Sequence, residues 1–320
     1  MCLDKNTEIV LSICVLVYNH KSYIEECIES ILNQKLRFKY EILVGNDCST
    51  DGIEDILAKY EDCVNCIRII NRQHNLGLCA NMYDLCLQAK GKYVINISGD
   101  DYFCDMNILQ KMVDFLEEHP EYHSVSAWQC FMNVQEGTIR EDSVGKQPME
   151  YTLYDYLGTG NGLVIHGVMR NIFFEDRENN IYLTKGARNN EEIKWYFYSL
   201  SKGKKYILPE SVYVYRYIVS ENGSNYNSTH SYLDTFRDYY TDLLLMRELF
   251  GDKYNFKPLM LKKSNMYCIR LSDSLHHIRE FLKIMKFQDI AALFWYKCYL
   301  KLHHRQDPPQ WSNSDYYLKR

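Results

Sequence analysis

The sequence predicts an α/β fold, a mainly parallel sheet flanked by helices and followed by a C-terminal helical extension. Three observations predict it. The apolar runs Leu11 to Val17, Ile42 to Val44 and Val94 to Ile97 lack polar alternation, as strands buried on both faces do. The segments between them carry apolar residues at helical spacing. Beyond Ser231 strand signals fade and helical spacing persists to Leu302.

Each element follows in order. The first strand breaks at Tyr18-Asn19-His20, and Ile24, Ile28, Ile31 and Leu32 then form a helical stripe. The second strand runs from Tyr40 to Asp47, turns through Cys48-Ser49-Thr50-Asp51-Gly52, and leads to a helix with Ile53, Ile56, Leu57 and Tyr60. A short third strand, Cys66 to Ile70, precedes the loop Asn71 to Gly77 and a helix carrying Ala80, Tyr83 and Leu87. The fourth strand enters Ser98-Gly99-Asp100-Asp101, with Gly99 permitting the turn. Asp105 is the expected N-cap of a helix bearing Ile108, Met112, Phe115 and Leu116, which His119-Pro120 ends.

Further along, Val125 to Val134 reads as a strand and Thr138 to Pro148 as a polar loop. Gly158-Thr159-Gly160-Asn161-Gly162 lacks the strand-glycine-helix context of a dinucleotide fingerprint and reads as a turn on the acceptor side of the cleft. Arg188 to Phe197 opens a helix. Tyr232 to Phe250 and Phe256 to Phe287 read as helices. Phe287 to Leu302 is aromatic and apolar, with a basic flank at Lys301, His303, His304 and Arg305. Simple packing is the favoured role for this segment, with a peripheral membrane contact or a homodimer interface as the alternatives.

Composition fits a globular enzyme: 320 residues, 46% hydrophobic and 25% charged. A net charge of −5 gives no footprint for nucleic acid. No apolar run reaches the roughly 18 residues of a membrane span, and the N-terminal residues lack the form of a signal peptide. The expected location is cytoplasmic, with the inner face of the cell membrane as the peripheral option. Ten of the 12 cysteines precede Phe131, mostly within apolar segments, and Cys63-Val64-Asn65-Cys66 has no second pair to complete a zinc site. Structural thiols are the expected reading.

The chemistry concentrates at strand ends. Adjacent Asp100 and Asp101 repel each other unless a cation lies between them, and a hard divalent ion bridging to phosphate is the simplest partner. A solvated turn is the bland alternative. Asp47, at the end of another apolar strand, shifts the balance, because open α/β sheets bind ligands at their carboxyl edge.

Together, Val17-Tyr18-Asn19, the turn Asn46-Asp47-Cys48-Ser49-Thr50-Asp51-Gly52, Asn75-Leu76-Gly77 and Gly99-Asp100-Asp101 resemble an inverting glycosyltransferase of family 2 with the GT-A fold, which is Rossmann-like. The resemblance implies a catalytic, nucleotide-sugar-binding domain over residues 1–225 and a helical region over 226–320. It implies that Val17, Tyr18, Asn19, Asn75 and Gly77 line the nucleotide site. Asp47 would accept from the uracil N3–H, Asp100 would contact ribose or help hold the ion, and Asp101 would ligate Mn²⁺ or Mg²⁺. The family's late acidic pair corresponds to Glu191-Glu192, followed by Lys202-Gly203-Lys204 and the ending Tyr213-Val214-Tyr215-Arg216. The usual second residue is Asp, so Glu192 takes the general-base position here, with Glu191 as the alternative. The implied donor is a UDP-sugar. The implied acceptor is a glycan or lipid-linked glycan in bacterial surface polysaccharide synthesis.

A sugar nucleotidyltransferase would carry a glycine-rich basic loop after the first strand, which Tyr18-Asn19-His20-Lys21 is not. A nicotinamide dehydrogenase is disfavoured by the missing glycine fingerprint. A catalytically inactive nucleotide-sugar-binding subunit is the alternative from another class.

Overall fold

In a computed structural model of the protein, the described residues are 8–64, 66–141, 147–159, 167–171, 173, 183, 185–187, 192–217, 231–272 and 274–303. The chain forms one mixed sheet in the order β3-β2-β1-β4-β9-β6-β10-β5, with β7 on β6 and β8 on β10. The first four strands are β1 (Leu11–Val17), β2 (Tyr40–Asn46), β3 (Ile67–Asn71) and β4 (Tyr93–Ser98). They are parallel, as the unalternating runs predict. Next come β5 (Tyr102–Phe103), β6 (Tyr122–Asn133), β7 (Thr138–Glu141), β8 (Met149–Tyr151), β9 (Gly167–Arg170) and β10 (Lys204–Tyr217).

The parallel half reaches the rest through β9, which is antiparallel to both β4 and β6. Strands β4 and β6 therefore point the same way, and β10 joins β6 in parallel. Their carboxyl ends share one edge.

The helices are α1 (Ile24–Leu32), α2 (Glu54–Cys63), α3 (Leu78–Gln88), α4 (Ile108–Glu118), α5 (Leu153–Thr159) and α6 (Glu192–Lys202). The C-terminal helices are α7 (Tyr232–Phe250), α8 (Lys257–Arg270), α9 (Leu275–Ile284) and α10 (Phe287–Leu302). The two-residue period of β1 divides its side chains between two cores. Leu11, Ile13, Val15 and Val17 pack with α1 and α4 on one face. Cys14 and Leu16 belong to the core that continues through α3 and α6 into α7 to α10.

Local chemistry moved several boundaries. Asp105 is not the N-cap of α4. Its Oδ1 accepts the Asn107 backbone N–H at 2.8 Å, so it closes a short turn and Asn107 caps instead. The polar segment after Asn133 begins as β7, because Thr138 to Glu141 zips back onto β6. Of the glycine-rich turn, Gly158 and Thr159 close α5 and residues 160–162 lie outside the described residues. The helix expected from Phe256 to Phe287 is two. Ser272 Oγ donates to the Ile269 carbonyl at 2.6 Å, a local bond that competes with continuation of the helix. A capping box from Ser231 and Asp234 starts α7.

Candidate active site

The end of β1 organises the carboxyl edge. The Val17 carbonyl accepts the Asp47 N–H at 2.8 Å, and the Leu16 carbonyl accepts the Gly99 N–H at 2.7 Å. One strand end thus holds both acidic segments beside it. Asn19 follows with φ 59°, a left-handed conformation that Asn tolerates better than most residues. Its Oδ1 accepts from the Thr50 N–H at 2.8 Å and its own N–H donates to Ser49 Oγ at 3.0 Å, which ties the first turn to the second. Tyr18 is the exposed aromatic ring of this edge, 40% accessible.

Asp47 is buried. Its Oδ1 accepts the Leu76 N–H at 2.7 Å and its Oδ2 accepts the Gly77 N–H at 2.9 Å. Gly77 is the N-cap of α3, so the carboxylate neutralises backbone donors at a helix start, where an anion is favoured. Asn75 Nδ2 adds a bond to the Asp47 carbonyl at 3.1 Å. The structure therefore brings Asp47, Asn75 and Gly77 together, with Asp47 serving as the anchor of the loop.

The adjacent acids differ sharply. Asp101 accepts from Tyr213 Oη at 2.5 Å on Oδ2 and from the Arg216 N–H at 2.8 Å on Oδ1. Burial and the neighbouring Asp100 push its carboxyl well above the ordinary range, while those two bonds pull the other way. Asp100 accepts from Ser98 Oγ at 2.5 Å on Oδ1, and His20 Nε2 lies 3.7 Å from the same oxygen. Among the described residues no hydrogen bond reaches Asp100 Oδ2. Gly99 is not in the left-handed region, contrary to the expectation of a turn glycine. Its missing side chain is a matter of space: a Cβ there would lie 3.0 Å from both His20 Nδ1 and Val17 Cγ2.

A divalent ion such as Mg²⁺ keeps several waters and takes one or two carboxylates plus substrate phosphates, so a single free carboxylate oxygen beside an imidazole and a hydroxyl fits such an ion. Asp101 already accepts one hydrogen bond on each oxygen and so has fewer lone pairs left for an ion than Asp100 has. Among the described residues no group of three or more His, Cys, Asp or Glu forms a ready-made metal cluster.

Glu192 is the first residue of α6, and Glu191 lies outside the described residues. The helix ends at Lys202, just before β10 starts. Ser199 Oγ of this helix donates to Ser124 Oγ at 3.1 Å, so α6 packs on the sheet near the start of β6.

Sequence reasoning missed three participants, His20, Ser98 and Glu26, and noted Tyr213 only as part of a strand ending. Arg216 was noted only as the end of a strand. Its guanidinium donates to the Asp100 carbonyl at 2.5 Å, pairs with Glu26, and lies over the rings of Tyr102 and Tyr23 at 4.6 and 5.1 Å. These contacts join residues more than 100 positions apart, and no local pattern encodes them.

Comparison with known proteins agrees with this layout. A family model described as "Glycosyl transferase family 2" matches residues 12–179. An uncharacterized protein of Mycobacterium tuberculosis is 36% identical over 112 residues, 35% of this chain and 32% of that protein. The putative teichuronic acid biosynthesis glycosyltransferase TuaG of Bacillus subtilis is 29% identical over 133 residues, 42% of this chain and 51% of that protein. The chain thus spans from about a third to half of the length of these relatives. The Staphylococcus aureus TarS fragment 1-349 solved in complex with UDP-GlcNAc superposes with TM-score 0.67 at 18% identity, over 86% of this chain and 79% of that one. A Pyrobaculum calidifontis mannosyltransferase solved with GDP-Man and Mn²⁺ gives TM-score 0.52 at 15% identity, over 93% and 82%. These likenesses establish a shared GT-A fold. Because the family model runs from β1 through the acidic edge and covers more than half of the residues, the chain belongs to glycosyl transferase family 2.

Proposed function

We propose that the protein transfers a sugar from a UDP-sugar to a hydroxyl of a cell-surface glycan or its lipid-linked precursor, with inversion at the anomeric carbon. The observation that carries this reading is the unequal pair at the end of β4, where among the described residues one oxygen of Asp100 receives no hydrogen bond and both oxygens of Asp101 do. The UDP-GlcNAc held by the TarS fold neighbour and the teichuronic acid role named for TuaG support the donor and the acceptor class.

In this reading Asp100, rather than Asp101, would hold Mn²⁺ or Mg²⁺, with Ser98 and His20 orienting its carboxylate. When bound, such an ion neutralises charge on the departing diphosphate. Asp101 is the buttress that fixes Asp100 through Tyr213 and Arg216. Tyr18 offers its ring to the nucleobase. Asp47 holds the loop Asn75 to Gly77 against it, leaving its remaining lone pairs for the uracil N3–H. Glu192 takes the proton of the acceptor hydroxyl as that oxygen attacks the anomeric carbon. The bond to the diphosphate breaks on the opposite face, so no covalent enzyme intermediate forms. Glu191 is the alternative base.

A panel of nucleotide sugars, read out as released UDP or GDP in the presence of a glycan acceptor, tests the proposal. A UDP-sugar should be consumed with UDP as product. Glu192→Gln should cut turnover by roughly 10²–10⁴-fold with donor affinity retained, the usual size of a general-base contribution. Release of pyrophosphate in place of UDP would assign the site to nucleotidyl transfer and overturn the reading.

A further inference from the structure

Among the described residues, helix α10 packs on the protein along one side. Leu293 is buried in the larger core, and Ile290 and Tyr296 pack against it. Asp289 is buried, where it accepts from Tyr240 Oη at 2.6 Å and from Arg247 Nη1 at 2.9 and 3.0 Å. The other side is aromatic and faces outward: Phe287 is 86% exposed, Trp295 70% and Phe294 62%, with Leu302 at 77%. At about 100° per residue these four side chains fall within roughly 100° of arc. Lys301 borders that arc, and Lys297, exposed and with its Nζ donating to Cys268 Sγ at 3.2 Å, lies about 60° beyond the same margin. Large apolar side chains are ordinary on a surface when scattered, and a concentrated stripe is not.

The charge around the stripe has one sign. Between Leu275 and His303 the chain carries Arg279, Lys283, Lys286, Lys297 and Lys301 against Glu280 and Asp289, while the whole chain is at −5. Glu280 is paired with Lys283, and Asp289 is the buried partner of Arg247. No carboxylate of α10 therefore faces outward. No helix among the described residues is long and apolar enough to cross a membrane. A helix with Phe and Trp on one face and lysines beside them lies in the plane of an interface, with its rings at headgroup depth and its ammonium groups on anionic lipid. A second copy of the chain is a poorer occupant, because a two-fold contact would set Lys297 and Lys301 against their own copies without an acidic residue on α10 to pair.

We propose that the outward face of α10 is a membrane-docking surface that seats the protein on anionic lipid through Phe287, Phe294, Trp295 and Leu302, with Lys297 and Lys301 supplying the charge attraction. Co-sedimentation of the full chain with vesicles tests this, using phosphatidylcholine alone or mixed with phosphatidylglycerol. The protein should sediment with the mixed vesicles, remain free with phosphatidylcholine alone, and be released as salt is raised. Lys297→Gln with Lys301→Gln should weaken partitioning by roughly thirtyfold, since each lysine near an anionic surface contributes about fivefold. Trp295→Glu should reduce binding by at least about tenfold. All these positions face solvent, so the variants should keep the wild-type circular dichroism and melting temperature. Equal sedimentation of wild type and variants, or no sedimentation with phosphatidylglycerol, would overturn the proposal. So would light scattering that showed a dimer of wild type dissociated by Trp295→Glu, which would give the face to a second copy.

Discussion

Tyr213 Oη donates to Asp101 Oδ2 at 2.5 Å, a contact 112 residues apart in sequence that ties the far strand of the sheet to the acidic turn. Arg216 completes it by donating its N–H to the other oxygen of the same carboxylate. Of the two adjacent acids, the second is thus the one more heavily tied to the fold.

Asp101→Ala should lower stability, because it removes the carboxylate that accepts from the buried Tyr213 hydroxyl and the Arg216 N–H, at a cost of about 1–3 kcal/mol for each bond lost. Asp100→Asn should leave the melting temperature within the range of ordinary surface changes, since its amide can still accept from Ser98. Thermal melts of the two variants check the order. Equal stability of both would mean that Asp101 is not the buttress.

The loop before α6 depends on a second buried pair. Lys194 Nζ lies 3.5 Å from Asp242 Oδ1 and donates to the Lys185 and Ala187 carbonyls at 2.7 and 3.1 Å. Gly186 sits between those carbonyls at φ 84°, and a Cβ there would come within 2.3 Å of Asp242 Oδ1. Burial pushes the Asp242 carboxyl up to about 7 against the pull of Lys194. Removing one member strands the other, so Lys194→Met should cost about 3–5 kcal/mol in urea unfolding. The double variant Lys194→Met/Asp242→Asn should recover much of that loss. A double variant no more stable than Lys194→Met alone would refute the coupling.

The acid limb of stability should depend on His123. Burial pushes its imidazole down from 6.5 to about 3, with Arg170 and Lys202 adding to the shift. The unfolded chain binds the proton first, so the group's contribution is intact above pH 6.5 and is lost as pH falls toward 3. Between pH 6.5 and 5 the loss should be about 2 kcal/mol at one proton per molecule. His123→Gln, measured by urea unfolding at both values, should show a pH dependence shallower than wild type by about that amount. Identical slopes would show that His123 is not responsible.

Much of the fold was legible because it is written in local periodicity. Leu11 to Val17, Ile42 to Val44 and Val94 to Ile97 could only be two-sided strands, and Ile24, Ile28 and Ile31 mark the face of α1 that is buried. Strands β7, β8 and β9, of four, three and four residues, are too short to carry a period, and partners distant in sequence define them. The same division holds at the site. Asp47, Asp100 and Asp101 could be found from strand ends. Their different jobs could not, since the anchor role of Asp47 depends on Leu76 and Gly77, and that of Asp101 on Tyr213 and Arg216. The outward turn of Phe294 and Trp295 was equally hidden, because an apolar helix reads as packed until its partner side is known.

The most direct test of the account is calorimetric titration of UDP, with Mn²⁺ and with chelator, into wild type, Asp100→Asn and Asp101→Asn. An Asn at position 101 can still accept from the Arg216 N–H and can donate to a reoriented Tyr213 hydroxyl, so that variant keeps the architecture of the turn. Wild type and Asp101→Asn should bind UDP at least about tenfold more tightly with Mn²⁺ than without, equivalent to about 1.4 kcal/mol, and Asp100→Asn should lose that gain. A metal effect that survives in Asp100→Asn and disappears in Asp101→Asn would contradict the assignment of Asp100. UDP binding absent from wild type under both conditions would contradict the donor reading itself.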